Sequence, residues 1–493
     1  MRIADSNAAT VVIGAGLAGL AAAVRVARAG RAVVLFDAQP AHGGCCSTTR
    51  VDGFSFNNGA VYVAVPSLLR AAFEQLGADL DDEVPMAAIE RPFESHLEDG
   101  GVVHLTDTAT SCVEGPRSAE RTRILRDGLG RLRQDWAPVY RALVEHVLPR
   151  GPSPWHALLR LGPHLPKMAG SAAALIERRF PDAGVQAAVG SLLLYTGVPP
   201  ERLPANQIIG LLALMEEGFH LPRHGMGAIS DALLRHAHAA GVAVRLGQAV
   251  ERIELADGRV SGVRLAGGER IATARVLATT AGFEVVERLL SPGTVPSRLA
   301  RTARNAPLSH RAVSIQLGCA APPGPGAFIV NHVPALARQG LLHQTREARP
   351  DWLSYTAPTR VVPGLAPAGK SIIECYAPAS GIGRASEWSP QQTESTVHRY
   401  VEALQHRLPG LSVETVRAIG PAEFMRQRHL YEGALYGIAP GVAPHRLFPH
   451  RAGVEGLYLA GQTTFPGYGV APAVWSGLQA ADAMLRDQRR ARR

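Results

Sequence analysis

Three glycines near the start of the chain have a spacing suited to binding phosphate. Gly14, Gly16 and Gly19 form a G-x-G-x-x-G pattern, and an acid, Asp37, follows 18 residues after the last of them. In this pattern the first glycine allows a tight turn, the second lets the backbone approach a pyrophosphate, and the third lets a helix pack closely on a strand. The Asp37 carboxylate can accept hydrogen bonds from ribose hydroxyls and disfavours a 2′-phosphate there. The constellation predicts a site for an adenine dinucleotide.

The elements that such a site needs are predicted around these glycines. Apolar runs at Thr10–Ile13 and Ala32–Phe36 are typical of buried parallel strands, and a helical stretch from Leu20 to Ala29 lies between them. The N-terminus of that helix would offer unpaired N–H groups to a phosphate anion. The first part of the chain is therefore predicted to be a complete βαβ unit.

The composition excludes several classes of protein. The 493 residues are 46% hydrophobic and 19% charged, which rules out a disordered chain. The net charge is +9, yet only two of the 51 basic residues are lysines, Lys167 and Lys370. Part of the charge lies in a basic tail at 486–493, and no basic stripe with aromatic residues occurs, so no nucleic-acid partner is expected. Contact with anionic lipid or an acidic carrier protein stays open.

Cysteine usage and hydropathy indicate a cytoplasmic protein. The five cysteines, at 45, 46, 112, 319 and 375, contain no C-x-x-C pair, so neither a metal site nor a disulfide framework is predicted. No apolar run is long enough for a transmembrane helix, and the acid Asp5 with the glycines after it argues against a signal peptide. Peripheral association with a membrane is not excluded by these patterns.

The middle of the chain is predicted to be mostly helical. Helices are expected at Glu120–Arg133, Val139–Val147 and Ser171–Arg179, and Ser191–Tyr195 and Ile208–Glu216 are strongly apolar. Core helices account for these segments, and the alternative is a lipophilic tunnel or a face that dips into a membrane. After the helix at Ala228–Ala240, further elements are expected as strands at Val242–Leu246, Val250–Leu255, Val260–Leu265, Glu269–Thr273, Val276–Thr280, Ala312–Leu317 and Ser371–Ala377, and as helices at Glu394–Arg407 and Ala473–Leu485.

One further motif resembles a nucleotide-binding loop but is not interpreted as one. Residues 364–371 match the P-loop pattern G-x-x-x-x-G-K-S. A phosphate-cradling loop of this kind needs a helix after it, whereas Ser371 begins a stretch with the composition of a strand. The motif is therefore predicted to be a loop between strands.

Three blocks of sequence resemble the phytoene desaturases and carotenoid isomerases, FAD-dependent oxidoreductases of the amine oxidase superfamily. The first is the glycine pattern with Gly43-Gly44 and 50–59 (RVDGFSFNNG), the second comprises 222–228 and 247–253, and the third is 461–470 (GQTTFPGYGV) with 476–477. They occur in the family's order and spacing over nearly the whole chain. Many relatives have arginine after the Gly-Gly pair, where this chain has Cys45-Cys46. The carotenoid isomerases commonly have Asp and Gln where this chain has Gln462 and Tyr468.

The resemblance implies an α/β fold with FAD as the cofactor. It implies a discontinuous Rossmann-type FAD-binding domain at 1–80, 221–285 and 451–493, a mixed-sheet substrate domain at 81–114 and 286–450, and a helical cap at 115–220. It also implies that the cofactor-binding residues are Gly14, Gly16, Gly19, Asp37, Gly43, Gly44, Asn58, Gly59, Val250, Gly461, Gln462, Gly467, Tyr468 and Val470.

Two tyrosines are the candidates for catalysis near the flavin. Tyr468 lies inside the C-terminal flavin motif, and Tyr436 lies in a segment that the family places against the substrate. Either could stack on a ring or donate a proton, and packing in the core is the alternative. For the pair Cys45-Cys46, a redox or flavin-linked role and simple tolerance of small residues beside a phosphate loop are both open.

The expected reaction is desaturation of a lipophilic, polyene-like or isoprenoid substrate, with hydride passing to the flavin. The alternatives are oxidation of a small or carrier-tethered natural-product intermediate and a redox-neutral cis–trans isomerisation. A non-enzymatic module that escorts prenylated proteins is the alternative from another class. The oligomeric state is not predicted.

Overall fold

A parallel sheet assembled from separate parts of the chain forms the centre of the cofactor-binding half. The computed structural model describes residues 9–321, 324–339 and 352–491. In spatial order the five parallel strands are Ala243–Arg245, Val33–Phe36, Thr10–Ile13, Val276–Ala278 and Leu457–Leu459. Because every residue of the strand Thr10–Ile13 is buried, its continuous apolar run suits a sheet covered on both faces. The predicted α/β class is confirmed.

Helices cover this sheet, and the chain's small residues let them approach closely. The helix Leu17–Arg28 packs against Val470–Ala491 and Ala228–Ala239, and Pro66–Gln75 packs on the C-terminal helix. A Cβ at Gly477 would lie 2.1 Å from the carbonyl oxygen of Ala18, so only glycine permits this helix contact. The first helix begins at Leu17 rather than the predicted Leu20, and Gly16 is its N-cap residue.

A second, mixed sheet lies beside the first. Its eight strands are, in spatial order, Val413–Ile419, Ala312–Cys319, Ser371–Pro378, Leu353–Thr356, Ile329–Val333, Phe93–Leu97, Val102–Leu105 and Cys112–Glu114. Only the pair Ile329–Val333 and Phe93–Leu97 is parallel among the neighbours described. The strand after the P-loop-like residues 364–371 agrees with the interpretation of that motif as a loop between strands.

Smaller sheets connect these two. They comprise the antiparallel strands Val250–Ala256, Arg259–Leu265 and Arg270–Ala272, the hairpin Thr48–Val51 and Phe54–Asn57, and the pair Met86–Ala88 and His220–Pro222. Outer helices comprise Leu80–Glu83, Gly282–Glu284, Ser297–Asn305, Leu336–Gln339, Pro390–Arg407 and Pro421–Arg428. Ser297–Asn305 and Pro421–Arg428 were not predicted. Pro390–Arg407 begins four residues before the predicted Glu394, because Ser389 and Gln392 form a capping box at its start.

The region predicted to form a cap, 115–220, is mostly helical. Its helices are Ser118–Arg141, Leu148–Arg150, Pro154–Leu161, Leu165–Met168, Ala172–Arg179, Ala183–Ser191 and Ile209–Glu217. The two helices predicted at Glu120–Arg133 and Val139–Val147 are continuous, since Ser118–Arg141 includes Pro138 and is followed directly by a π-helical stretch at Ala142–Val147. No helix among the described residues is both long enough and apolar enough to cross a membrane. The boundaries of the domains stay a prediction.

Candidate functional site

One continuous cavity of about 1640 Å³ runs from the ends of the parallel strands to the helical cap. All the residues proposed from sequence for the cofactor and for catalysis line this cavity, with the exception of Gly19. Gly19 lies beneath it, where a Cβ would be only 1.8 Å from the carbonyl oxygen of Gly14. Residues from the two ends of the sequence and from its middle therefore meet at one site.

The first two glycines of the motif shape the floor of the cavity. Gly14 has φ +104°, a conformation that side chains disfavour, and a Cβ there would lie 2.6 Å from Oγ1 of Thr279. A Cβ at Gly16 would have no atom within 4 Å and would project into the cavity. The space is therefore kept open by the absence of a side chain at Gly16.

The helix that begins at Leu17 points its N-terminus at this space. No side chain caps that end, and no acidic residue lies in the first turn. The unpaired N–H groups and the helix dipole favour an anion there. An open cradle with free backbone donors is the arrangement that the diphosphate of a dinucleotide requires, so the residues present fit FAD.

Asp37 is held rigidly at the end of the strand Val33–Phe36. Its Oδ2 accepts a hydrogen bond from the N–H of Ala15 at 2.6 Å, and its Oδ1 accepts one from the N–H of Gln39 at 2.7 Å. Each carboxylate oxygen has a further lone pair available, so both can also accept from ribose hydroxyls. Val250, at the start of its strand, lines the same end of the cavity.

The second glycine pair is joined to the first motif by backbone contacts. The N–H of Gly43 donates to the carbonyl oxygen of Ala15 at 2.8 Å, and Gly43 and Gly44 both have positive φ values. Asn58 is buried, and its Nδ2 donates to Oγ of Ser47 at 2.9 Å. Asn58 therefore holds the Gly-Gly loop against the hairpin, while Gly59 packs on the backbone of Cys45.

The C-terminal motif forms the opposite wall. The N–H of Gly461 donates to Oγ of Ser476 at 3.0 Å, and Gly461 has φ +103°. Gly467 also has a positive φ, +113°, and a Cβ there would meet no atom within 4 Å. Gln462 and Val470 line the cavity beside these glycines. As at Gly16, the missing side chain of Gly467 leaves room for a planar group.

Tyr436 and Tyr468 contact each other in the cavity wall. Their ring centroids are 4.6 Å apart, and the hydroxyl of Tyr468 donates to Oε1 of Gln207 at 3.3 Å. Burial raises the pKa of Tyr468 to about 12, and burial together with the nearby Tyr468 raises the pKa of Tyr436 well above its usual value. Both phenols are neutral at physiological pH, so they can stack and donate hydrogen bonds but do not act as bases.

The vicinal cysteines lie at the edge of the site as thiols. Cys45 lines the cavity, and burial raises its pKa to about 11. Cys46 is buried, its Sγ donates to the carbonyl oxygen of Met226 at 3.3 Å, and burial raises its pKa as well. A nucleophilic or redox-active cysteine must be a thiolate, and neither of these thiols is ionised at neutral pH.

Several cavity residues lie outside the motifs used in the sequence analysis. One of them is Glu284. Burial opposes its ionisation, but hydrogen bonds with His429 and Thr280 hold its pKa below the usual range. The hydrogen bond with Glu284 in turn raises the pKa of His429. Other such residues are Tyr62, Tyr195, Gln207, Phe219, His310, Trp352 and Arg428. They come from segments far apart in sequence, so no local pattern marks them.

Comparisons with known proteins agree with this geometry. A family model described as flavin containing amine oxidoreductase matches residues 17–485. A zeta-carotene-forming phytoene desaturase of Myxococcus xanthus is 28% identical, over 93% of this chain and 90% of the relative. A lycopene-forming phytoene desaturase of Pseudescherichia vulneris is 27% identical, over 97% of this chain and 99% of the relative.

Solved structures show the same fold at lower sequence identity. Cyclohexylamine oxidase from Brevibacterium oxydans IH-35A has a TM-score of 0.62 and 15% identity, over 98% of this chain and 100% of that one. An oxidoreductase from Methanosarcina mazei has a TM-score of 0.63 and 19% identity, over 96% and 100%. Because the family model spans nearly all of the chain and the cradle fits its cofactor, the protein belongs to the flavin-containing amine oxidoreductases and is an FAD-dependent enzyme.

Proposed function

We propose that this enzyme dehydrogenates a long, apolar substrate of the polyene or isoprenoid class. The observation that carries the proposal is the size of the cavity, about 1640 Å³. Ligand pockets usually have volumes of roughly 300–1,000 Å³. The space therefore accommodates a second, elongated molecule beside the cofactor.

The walls of the cavity beneath the cap are apolar, as a hydrocarbon substrate requires. They are formed by Leu143, Val144, Val147, Leu161, Met168, Ile176, Val189, Leu192, Leu193, Ile208, Ile209 and Leu211. Aromatic rings continue this surface toward the flavin motif, including Tyr62 stacked on Phe219 with ring centroids 4.4 Å apart. Binding a chain of CH₂ and CH groups here removes apolar surface from water at about 25 cal/mol per Å².

The protein's contribution to the reaction is to position a C–H bond and to exclude water. FAD supplies a hydride acceptor. Forming the carbon–carbon double bond breaks two C–H bonds, one as hydride and one as a proton, and oxygen or a quinone takes the electrons in the second half of the cycle. Tyr436 and Tyr468 stay protonated, so they cannot take up that proton, and their rings line the cavity beside the C-terminal motif. His310, whose ring meets that of Tyr436 at a centroid distance of 5.5 Å, is the candidate to receive the proton.

The names of the relatives support this substrate class. Those from Myxococcus xanthus and Pseudescherichia vulneris are phytoene desaturases, and each aligns with nearly the whole of this chain. The apolar cavity under the cap agrees with substrates of that kind. Oxidation of a small or carrier-tethered intermediate is the alternative, and it would leave most of this apolar space unfilled.

Anaerobic flavin reduction tests the proposed substrate class. We expect phytoene carried in lipid vesicles to bleach the visible absorption of the enzyme-bound flavin, with longer conjugated products appearing in the lipid. Primary amines should leave the flavin oxidised. Bleaching by an amine, together with no bleaching by phytoene or other polyenes, would contradict the proposal.

We further propose that the enzyme takes this substrate from an anionic membrane surface. The helix Pro154–Leu161 and the turn after it leave large apolar side chains exposed: Trp155 by 81%, Leu158 by 52%, Leu159 by 73% and Leu165 by 51%. A cluster of this kind marks an interaction surface rather than an ordinary solvated face. We call these four residues the apolar patch.

The charges around the apolar patch favour lipid over a protein partner. Residues 146–176 contain Arg150, Arg160 and Lys167 and no carboxylate. The C-terminal helix adds Arg486, which lines the same cavity as Arg150, and Nε2 of Gln479 in that helix donates to the carbonyl oxygen of Leu148 at 2.6 Å. An apolar face rimmed by cations is the pattern of an interfacial helix on anionic lipid.

The helix that carries the apolar patch also borders the cavity. Ala157 and Leu161 line the cavity, while Trp155 and Leu159 project outward from the same helix. Arg150 and Arg486 line the same outer part of the cavity. A hydrocarbon leaving the bilayer at the apolar patch would therefore pass these arginines and then meet the apolar side chains beneath the cap.

Vesicle flotation tests the membrane proposal. Replacing Trp155 and Leu159 with serine should lower binding to vesicles containing phosphatidylserine by at least about tenfold, because each buried large side chain contributes roughly 1.5–3 kcal/mol. Val416→Ser is the matched control, since Val416 is 51% exposed on a distant strand. An equal loss of vesicle binding in the control, or full vesicle binding by the double variant, would show that the apolar patch is not the membrane-binding surface. Vesicle binding that high salt abolishes but the double variant retains would assign the contact to the basic residues and not to the apolar patch.

A further inference from the structure

The end of the helix Pro421–Arg428 places an arginine in the cofactor part of the cavity. Arg428 is the last residue of this helix, is half-buried and lines the cavity. His429, which follows with φ +52°, ends the helix and bonds to Glu284 at 3.4 Å. Nε2 of Gln39 donates to the carbonyl oxygen of Arg426 at 3.3 Å. Both contacts tie this helix end to the strand ends that form the nucleotide site.

Among the described residues, none forms an ion pair with the guanidinium of Arg428. Within the described ranges no acceptor reaches its buried Nε, and no carboxylate forms an ion pair with it. Its charged or titratable neighbours are Asp37, Cys45, Tyr376 and a second cation, Arg417. Burial raises the pKa values of Cys45 and Tyr376, so both are neutral and cannot balance the charge.

Asp37 does not balance this charge either. Its two oxygens already accept the N–H groups of Ala15 and Gln39, and it lies outside ion-pair distance of Arg428. A half-buried cation without a partner still loses part of its hydration, and five N–H donors in a planar fork suit a bidentate anion. The guanidinium of Arg428 is therefore placed to bind an anion inside the cavity.

We propose that Arg428 binds the diphosphate of FAD, as a cationic contact that the glycine motifs do not provide. The diphosphate is the permanently anionic group of this cofactor. The segment between Arg31 and Arg50 that carries Asp37 and the Gly-Gly pair contains neither lysine nor arginine, and its one histidine, His42, bonds to Asp231 at 2.8 Å. Arg428 thus supplies, from a distant part of the sequence, the charge that the N-terminal segment lacks. The proposal is independent of the substrate.

The dissociation constant for FAD tests this proposal directly. It is obtained from the fluorescence of flavin released when the holoenzyme is diluted. Arg428→Gln should raise it roughly 10- to 100-fold, as expected for loss of a charge-assisted pair. Arg426→Gln is the control, because Arg426 is exposed on the same helix and pairs with Glu423 at 2.8 Å. A change of the same size in both variants, or none in Arg428→Gln, would overturn the proposal.

Thermal unfolding adds a readout that a purely structural role would not give. Because Arg428→Gln removes an unpaired buried charge, the cofactor-free variant should melt no lower than the cofactor-free wild type, while its gain in Tm on adding FAD should be smaller. Loss of stability without FAD and an unchanged gain with it would assign Arg428 to folding instead. Arg428→Met serves in the same way if glutamine is not accommodated.

Fragments of the cofactor locate the contact. ADP carries a diphosphate and adenosine does not, so ADP should displace FAD from the wild type more effectively than adenosine does. Arg428→Gln should reduce that difference, and Arg428→Lys, which keeps the charge, should restore part of it. Equal displacement by the two fragments in the wild-type enzyme would overturn the assignment to the diphosphate, without need of any variant.

Discussion

Replacing Gly16 with valine is expected to give a folded protein that no longer retains FAD. The backbone at Gly16 has φ −77° and ψ −179°, an extended conformation that valine adopts readily. A Cβ there meets no protein atom within 4 Å, so the variant should unfold at the temperature of the cofactor-free wild type. The two added methyl groups would instead occupy the space in which the diphosphate lies against the helix N-terminus. Flavin content and Tm, measured on the purified protein, check both parts.

The control for this variant is a glycine outside the cavity at which an added side chain would likewise meet no neighbouring atom. Gly267 lies in an exposed turn outside the cavity, and a Cβ there also meets no atom within 4 Å. Gly267→Val should keep the wild-type amount of FAD. If Gly16→Val also kept its flavin, the cradle would not be where the diphosphate binds.

Replacing Gly210 with tryptophan should separate binding of the cofactor from binding of the substrate. Gly210 lies in the cap helix Ile209–Glu217, lines the cavity and has no neighbouring atom within 4 Å of a Cβ. Gly210 is exposed at the wall of the cavity and a Cβ there meets no protein atom, so a large ring at this position would take up space at the entrance to the apolar half. We expect normal flavin content and at least about a tenfold lower rate of flavin reduction by a polyene, since small misplacements of a substrate cost up to about 100-fold. Stopped-flow reduction under anaerobic conditions measures it.

Two observations control for indirect effects at Gly210. Gly210→Ala adds only a methyl group, so a polyene should reduce the flavin of this variant at close to the wild-type rate. Reduction by dithionite, which needs no substrate cavity, should be equal in all three proteins. If Gly210→Trp accepted polyenes as fast as the wild type, the substrate would not pass beneath the cap, and the proposed route would be wrong.

The nucleotide end of the site could be predicted from sequence because its determinants are local. Gly14, Gly16 and Gly19 lie close together where a strand is followed by a helix, so their spacing alone predicts the shape of the phosphate-binding turn. The blocks around Gly461 and Val250 required resemblance to a family, since nothing local connects them to the N-terminus. The structure nevertheless brings them to one cavity.

The remaining features depend on packing between segments that are far apart in the chain. A single sequence does not indicate which of these segments pack together. Arg428 stands in a helix that was not predicted, and its significance arises only because neighbouring groups are neutral or already bonded. The contact between Tyr436 and Tyr468 joins two loops 32 positions apart. Helices were predicted separately at Glu120–Arg133 and Val139–Val147, yet one helix, Ser118–Arg141, spans the gap between them with Pro138 inside it.

The order of strands in the parallel sheet constrains when the enzyme can acquire its cofactor during synthesis. Thr10–Ile13 leaves the ribosome early, but its neighbour Val276–Ala278 and the edge strand Leu457–Leu459 are made much later. The wall that contains Gly461 and Gly467 follows that last strand. The nascent βαβ unit must therefore persist without a complete cofactor site and with an unpaired sheet edge until these later strands have been made, and such an edge is prone to pair with other chains.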